Sequence, residues 1–158
     1  MTAIPMRPYG EHLRPGRFRT VLLATDLSPT SEAATTAGLD LAATVGVRLL
    51  AVSVIDPGAL RLSGGRYFAR VDQVRAERER VAQELVARGR SMGVDVGFLV
   101  WEGEPGESII EAAAAESADL IVVGSHGGDA LTRLLAGSVA KKVVRDAGCP
   151  VVVVKAKP

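Results

Sequence analysis

The residues in this chain best suited to chemistry are glycines and serines set at fixed intervals. Gly124-Ser125-His126-Gly127 is followed by nine residues and then by Gly137-Ser138. Glycine lets a backbone approach a ligand with no Cβ in the way. Serine adds a hydroxyl donor. The apolar, β-branched run Leu120-Ile121-Val122-Val123 stands just before, and apolar residues at roughly helical spacing follow Val139. The order is therefore strand, glycine-rich loop, helix start. A helix start presents unpaired backbone N–H groups and the positive end of the helix dipole, which together suit an anion. The chemistry indicated is phosphate binding. The helix end contributes only about 0.3–2 kcal/mol, whereas micromolar affinity needs about 8 kcal/mol. A base and a sugar must supply much of the rest.

Neighbouring side chains qualify this reading. His126 has no second histidine near it in sequence, and His12 is remote, so a loop-stabilising or ligand-packing role is expected over a general base. Ser138 has no visible base partner either, which favours a hydroxyl contact to phosphate over a nucleophile. Asp129 is a carboxylate inside the loop. At ~4 Å from a phosphate it would cost about 1–4 kcal/mol, so it is expected to point away or help hold a metal. Other phosphate signatures fail. No Gly-x4-Gly-Lys-Ser/Thr is present, and the turn after the first strand lacks Gly-x-Gly-x-x-Gly, which argues against a P-loop enzyme and a dinucleotide dehydrogenase. Ser63-Gly64-Gly65 resembles the phosphate loop of ATP pyrophosphatases but follows the second strand, and is read as a flexible loop.

The spacing Gly-x2-Gly-x9-Gly-Ser resembles the nucleotide loop of the universal stress protein family, in its ATP-binding branch. Val21-Leu22-Leu23-Ala24-Thr25-Asp26 looks like that family's first strand and its acidic end. Gly103-x-Pro105 with Ile109, Ala118 to Val122, Ser138-Val139-Ala140 and Cys149 to Val154 match its middle and end. The resemblance implies a Rossmann-like fold of the adenine nucleotide alpha hydrolase kind, with a five-stranded parallel sheet in the order 3-2-1-4-5. It implies ATP as ligand, held by Thr25, Asp26, Val54, Gly124, Ser125, His126, Gly127, Gly137, Ser138 and Val139. Val54 would offer a backbone contact to adenine, and Asp26 would touch the nucleoside or a Mg2+ shell. The expected protein is a regulatory module of the cytoplasm with at most slow ATP hydrolysis and a protein partner of unspecified identity. The alternatives are a scaffold of the same fold that ignores nucleotide, or a true nucleotide hydrolase.

These residues need elements to position them. A chain of 158 residues with 47% hydrophobic and 23% charged content fits one globular domain, expected over 18–158. A net charge of +1 gives no bulk attraction to nucleic acid or membrane. No apolar run approaches the ~18 residues of a membrane span, and a lone cysteine, Cys149, cannot form an intrachain disulfide. Residues 1–17 carry Pro5, Pro8, Gly10, Pro15 and Gly16 and read as a flexible basic tail without a secretory signal. Strands are expected at 20–25, 47–55, 94–101, 120–123 and 151–154.

The first helix is expected to follow Ser28-Pro29, capped by Ser28, with Ala34, Ala37, Leu41 and Val45 inward and Gly46 as its stop. A loop is expected at 56–70, acting as a lid over the nucleotide site. A long helix at 71–91 should face inward with Val74, Val81 and Leu85, leaving Arg75, Glu77, Arg78, Glu79 and Arg80 as a solvated face. Helices at 107–117 and from 139 complete the alternation, which implies an α/β fold with helices on both faces. In the order 3-2-1-4-5 the ends of the first and fourth strands meet at the topological switch point. The last strand, Val151-Val152-Val153-Val154, lies at the sheet edge, where pairing with a second copy would give a homodimer.

Overall fold

The structure, a computed structural model, describes residues 18–60, 65–125 and 137–155. The tail 1–17 with His12, the Ser63-Gly64 pair, and His126, Gly127 and Asp129 lie outside the described residues.

Five strands, β1 (Thr20–Ala24), β2 (Arg48–Ile55), β3 (Val96–Glu102), β4 (Leu120–Gly124) and β5 (Val151–Val154), pair in parallel in the order β3-β2-β1-β4-β5. The expected topology holds. The helices are α1 (Glu32–Val45), α2 (Pro57–Leu60), α3 (Gly65–Ser91), α4 (Pro105–Ala115) and α5 (Ser138–Asp146). The strands are apolar on both faces because both faces are covered. Leu22, Ala24, Leu50, Val52, Ile121 and Val123 pack with α4 and α5. Their neighbours in sequence, Val21, Leu23, Leu49, Ala51 and Val122, pack with α1 and α3.

Several expectations about helices are corrected. Ser28 does not cap α1. Pro29–Ser31 forms a 3₁₀ turn first, and the Ser28 hydroxyl donates to Asp26 Oδ1 at 2.6 Å instead. The buried stripe of α1 is Ala34, Thr35, Gly38, Leu39 and Ala42, while Val45 is half exposed. Small residues take this face because Leu23 packs so close to Gly38 that an added Cβ would stand 3.3 Å from its Cδ1. Gly46 does end α1, in a left-handed conformation with φ +76°.

The segment expected as a loop at 56–70 is partly helical. Asp56 Oδ1 accepts the Gly58 N–H at 2.8 Å and starts α2, and α3 already begins at Gly65. The inward face of α3 is Val71, Ala82, Leu85 and Gly89, of which only Leu85 was expected. Arg75 and Arg78 do not stand on its solvated face. Their long stems lie along the sheet and their guanidinium groups reach the ends of β2 and β3. Helix α4 starts two residues early because Glu104 caps it, accepting from Gly106 N–H at 3.0 Å and Glu107 N–H at 2.7 Å.

Candidate functional site

The chain runs outward from β1 through β2 to β3, then returns to place β4 and β5 on the other side of β1. Ala24 pairs with Val123, so the segments leaving β1 and β4 diverge from neighbouring strand ends. This is the switch point of the sheet, where open α/β folds leave a crevice.

The turn after β1 is built by hydroxyls. Thr25 is buried, its N–H donating to Val52 C=O at 3.0 Å. Its Oγ1 donates to Ser31 Oγ at 2.9 Å, lies 3.2 Å from Thr35 Oγ1, and accepts the Leu27 N–H at 3.0 Å. Leu27 adopts φ +62°, a left-handed conformation that reverses the chain beside Asp26. Ser28 then returns both its N–H, at 2.9 Å, and its hydroxyl to Asp26 Oδ1. Asp26 is exposed at the surface, yet partial desolvation by its surroundings is the largest single influence on its carboxyl and pushes its pKa up. The Ser28 hydroxyl and N–H, the Ser31 hydroxyl and the charge of Arg78 together outweigh it and hold the group below its ordinary value. Asp26 is therefore an ionised carboxylate at the strand end, aimed by its own turn.

Val54 lies near the end of β2, half-buried beside the fully buried Ser53. Arg78 Nη1 donates to Ser53 Oγ at 2.6 Å and to Val54 C=O at 2.6 Å. Desolvation lowers the Arg78 pKa and the Asp26 charge raises it again. A guanidinium remains cationic across the working range. Gly124 ends β4, and the Ser125 N–H donates to Val154 C=O at 2.8 Å.

Gly137 precedes α5, whose helical hydrogen bonds begin with Lys141 N–H to Gly137 C=O at 2.8 Å. The N–H groups of Ser138, Val139 and Ala140 precede that bond and, among the described residues, have no intrahelical partner. The Lys141 side chain folds back toward this end. A Cβ added to Gly137 would meet Lys141 Cε at 3.5 Å and Nζ at 3.9 Å. An ammonium beside the positive end of a helix dipole is electrostatically unfavourable, and an anion would relieve both.

Sequence reasoning missed Arg78 and Lys141. Arg78 was hidden in a run of charges that read as solvated. Lys141, three residues after Ser138, follows from helix geometry once the helix start is fixed. Among the described residues, no group of histidine, cysteine, aspartate and glutamate is assembled to hold a metal, and no helix is long and apolar enough to cross a membrane.

Comparison with known proteins agrees with this architecture. Residues 17–155 match the universal stress protein family. A universal stress protein of Thermus aquaticus is 38% identical over 139 residues, covering 87% of this chain and 99% of the relative. The structure of hypothetical protein MJ0577 superposes with a TM-score of 0.74 at 26% identity, covering 89% of this chain and 98% of that one. A universal stress protein solved in complex with cAMP superposes with a TM-score of 0.63 at 27% identity, covering 87% of this chain and 97% of that one. With a family match over residues 17–155 and a relative 38% identical along 99% of its own length, this chain belongs to the universal stress protein family.

Proposed function

We propose that the chain is a nucleotide-binding regulatory module that takes ATP at the C-terminal edge of its sheet. The observation that carries this reading is the start of α5. Gly137 leaves the backbone bare, Ser138 brings a hydroxyl, and the Lys141 ammonium lies beside N–H groups that have no helical partner. That donor set has the chemistry of a polyphosphate cradle. The ionised Asp26 on the neighbouring strand end suits a ribose hydroxyl or the water shell of Mg2+, and would repel a bare phosphate. Val54 C=O is an acceptor for a base amino group. Thr25 supports the turn with its buried side chain and donates its N–H to Val52, so only its carbonyl is left for a ligand. Gly124, Ser125 and Val139 are assigned to the phosphate side, and the same assignment extends to His126 and Gly127, which lie outside the described residues. A structurally similar family member was solved with cAMP, which is in keeping with an adenine nucleotide.

The same reading includes a homodimer. β5 stands at the sheet edge with Val152 41% and Val153 39% exposed, and an apolar edge is satisfied by a second copy about a two-fold axis. The test is to denature the purified protein and identify released small molecules by mass, with Ser138→Ala and Lys141→Ala in parallel. An adenine nucleotide released from wild type and depleted in both variants is expected. A protein that releases none, and retains none after incubation with ATP and gel filtration, would overturn the proposal.

A further inference from the structure

Successive residues of a strand present their backbone groups to alternate neighbours. Val52 C=O accepts the Thr25 N–H, so β2 turns that carbonyl toward β1. Val54, two residues on, faces the same side, one rung beyond the end of β1 at Ala24. Its carbonyl has passed the last ladder partner and opens toward the switch point. Arg78 takes it, together with the hydroxyl of fully buried Ser53. Arg75, one turn earlier on α3, is ion-paired to Glu102 at 2.6 Å. Arg78, among the described residues, has no carboxylate in ion-pair contact and feels Asp26 only at longer range. Its partners are neutral acceptors, and it can leave them without abandoning an ion pair.

We propose that Arg78 is a removable plug of the base position: its guanidinium N–H stands on the Val54 carbonyl, and an adenine enters by displacing it. The proposal rests on the nucleotide reading above and specifies how that site is regulated. Guanidinium N–H and the adenine amino group are both planar donors, so one can replace the other on the same oxygen. A half-buried carbonyl without a donor is costly, and Arg78 supplies that donor. Apparent affinity is then lowered by the fraction of time the carbonyl is free.

Adenosine is the probe, because it reads the base position without phosphate electrostatics. Calorimetric titration of Arg78→Met should show binding on the order of tenfold tighter than wild type. The Arg78 Nε–H signal of wild type should move on saturation with adenosine. Equal or weaker adenosine binding by Arg78→Met, in a protein that binds ATP, overturns the plug and leaves the nucleotide reading intact. Absence of binding of both adenosine and ATP to either protein overturns both. Should Arg78→Met fail to fold, Arg78→Lys, a shorter single-centre donor, carries the comparison with a smaller gain. An Arg78 signal unmoved in wild type counts against the plug by itself.

Discussion

Replacing Thr25 with Val keeps the shape of the side chain and removes one oxygen from the turn that aims Asp26. That oxygen donates to Ser31 Oγ at 2.9 Å, lies 3.2 Å from Thr35 Oγ1 and accepts the Leu27 N–H at 3.0 Å. Thr25 is 6% exposed, so water cannot easily take its place. Each lost bond is worth about 0.5–1.5 kcal/mol, and a buried donor left without an acceptor costs about 1–3 kcal/mol. Thr25→Val should therefore destabilise by about 2–3 kcal/mol. With a urea slope of about 1–3 kcal/mol per molar, the midpoint should fall by roughly 1 M or more. Thr25→Ser keeps the hydroxyl and loses a methyl, worth about 0.8 kcal/mol, so it should fall much less. Urea unfolding followed by circular dichroism at neutral pH measures both. A Thr25→Val midpoint within roughly 0.2 M of wild type would refute the hydroxyl network as the scaffold of this turn.

Asp26→Asn tests the charge in the same turn. Because the folded pKa lies below the ordinary 3.8, the carboxylate contributes stability above that value and loses it as pH falls through the folded pKa. The wild-type advantage over Asp26→Asn should be level near neutrality and vanish in acid, and an advantage that grows on acidification would show the sign to be wrong. Gly89→Ala would drive a Cβ into Val96 Cγ2 and to 3.2 Å from Val94 C=O. It should cost about 1–3 kcal/mol, and Val96→Ala in the same chain should recover part of that loss, as thermal unfolding can check. Lysines at both Val152 and Val153, the exposed pair of β5, should yield a folded monomer by light scattering, and an unchanged dimer mass would exclude this edge as the interface.

The parallel sheet was legible because its strands are apolar on both faces, a pattern that two helical layers demand. Leu120 to Gly124 and Val151 to Val154 fall where the β-branched runs stand. The helices were less legible where small residues or long side chains do the packing. On α1 the buried stripe contains Gly38 and Thr35, which a search for large apolar residues passes over. On α3 the charge run Arg75 to Arg80 hides two arginines whose stems cross the sheet edge. Glu104 is an uncommon cap, so the early start of α4 was signalled only by Pro105 at its first position. At the candidate site, Asp26, Gly124 and Gly137 were visible from strand-end and loop chemistry. Of the partners that tune them, Ser28 and Lys141 lie within one turn of the residues they serve, whereas Arg78 depends on side-chain reach between elements, which spacing along one element does not encode.

Calorimetric titration of ATP into the wild-type protein, with and without Mg2+, tests the nucleotide reading most directly. Saturable heat at submillimolar ATP is expected, weakened in Ser138→Ala and Lys141→Ala, the variants that strip donors from the start of α5. Absence of saturable heat below millimolar ATP under both conditions would contradict it.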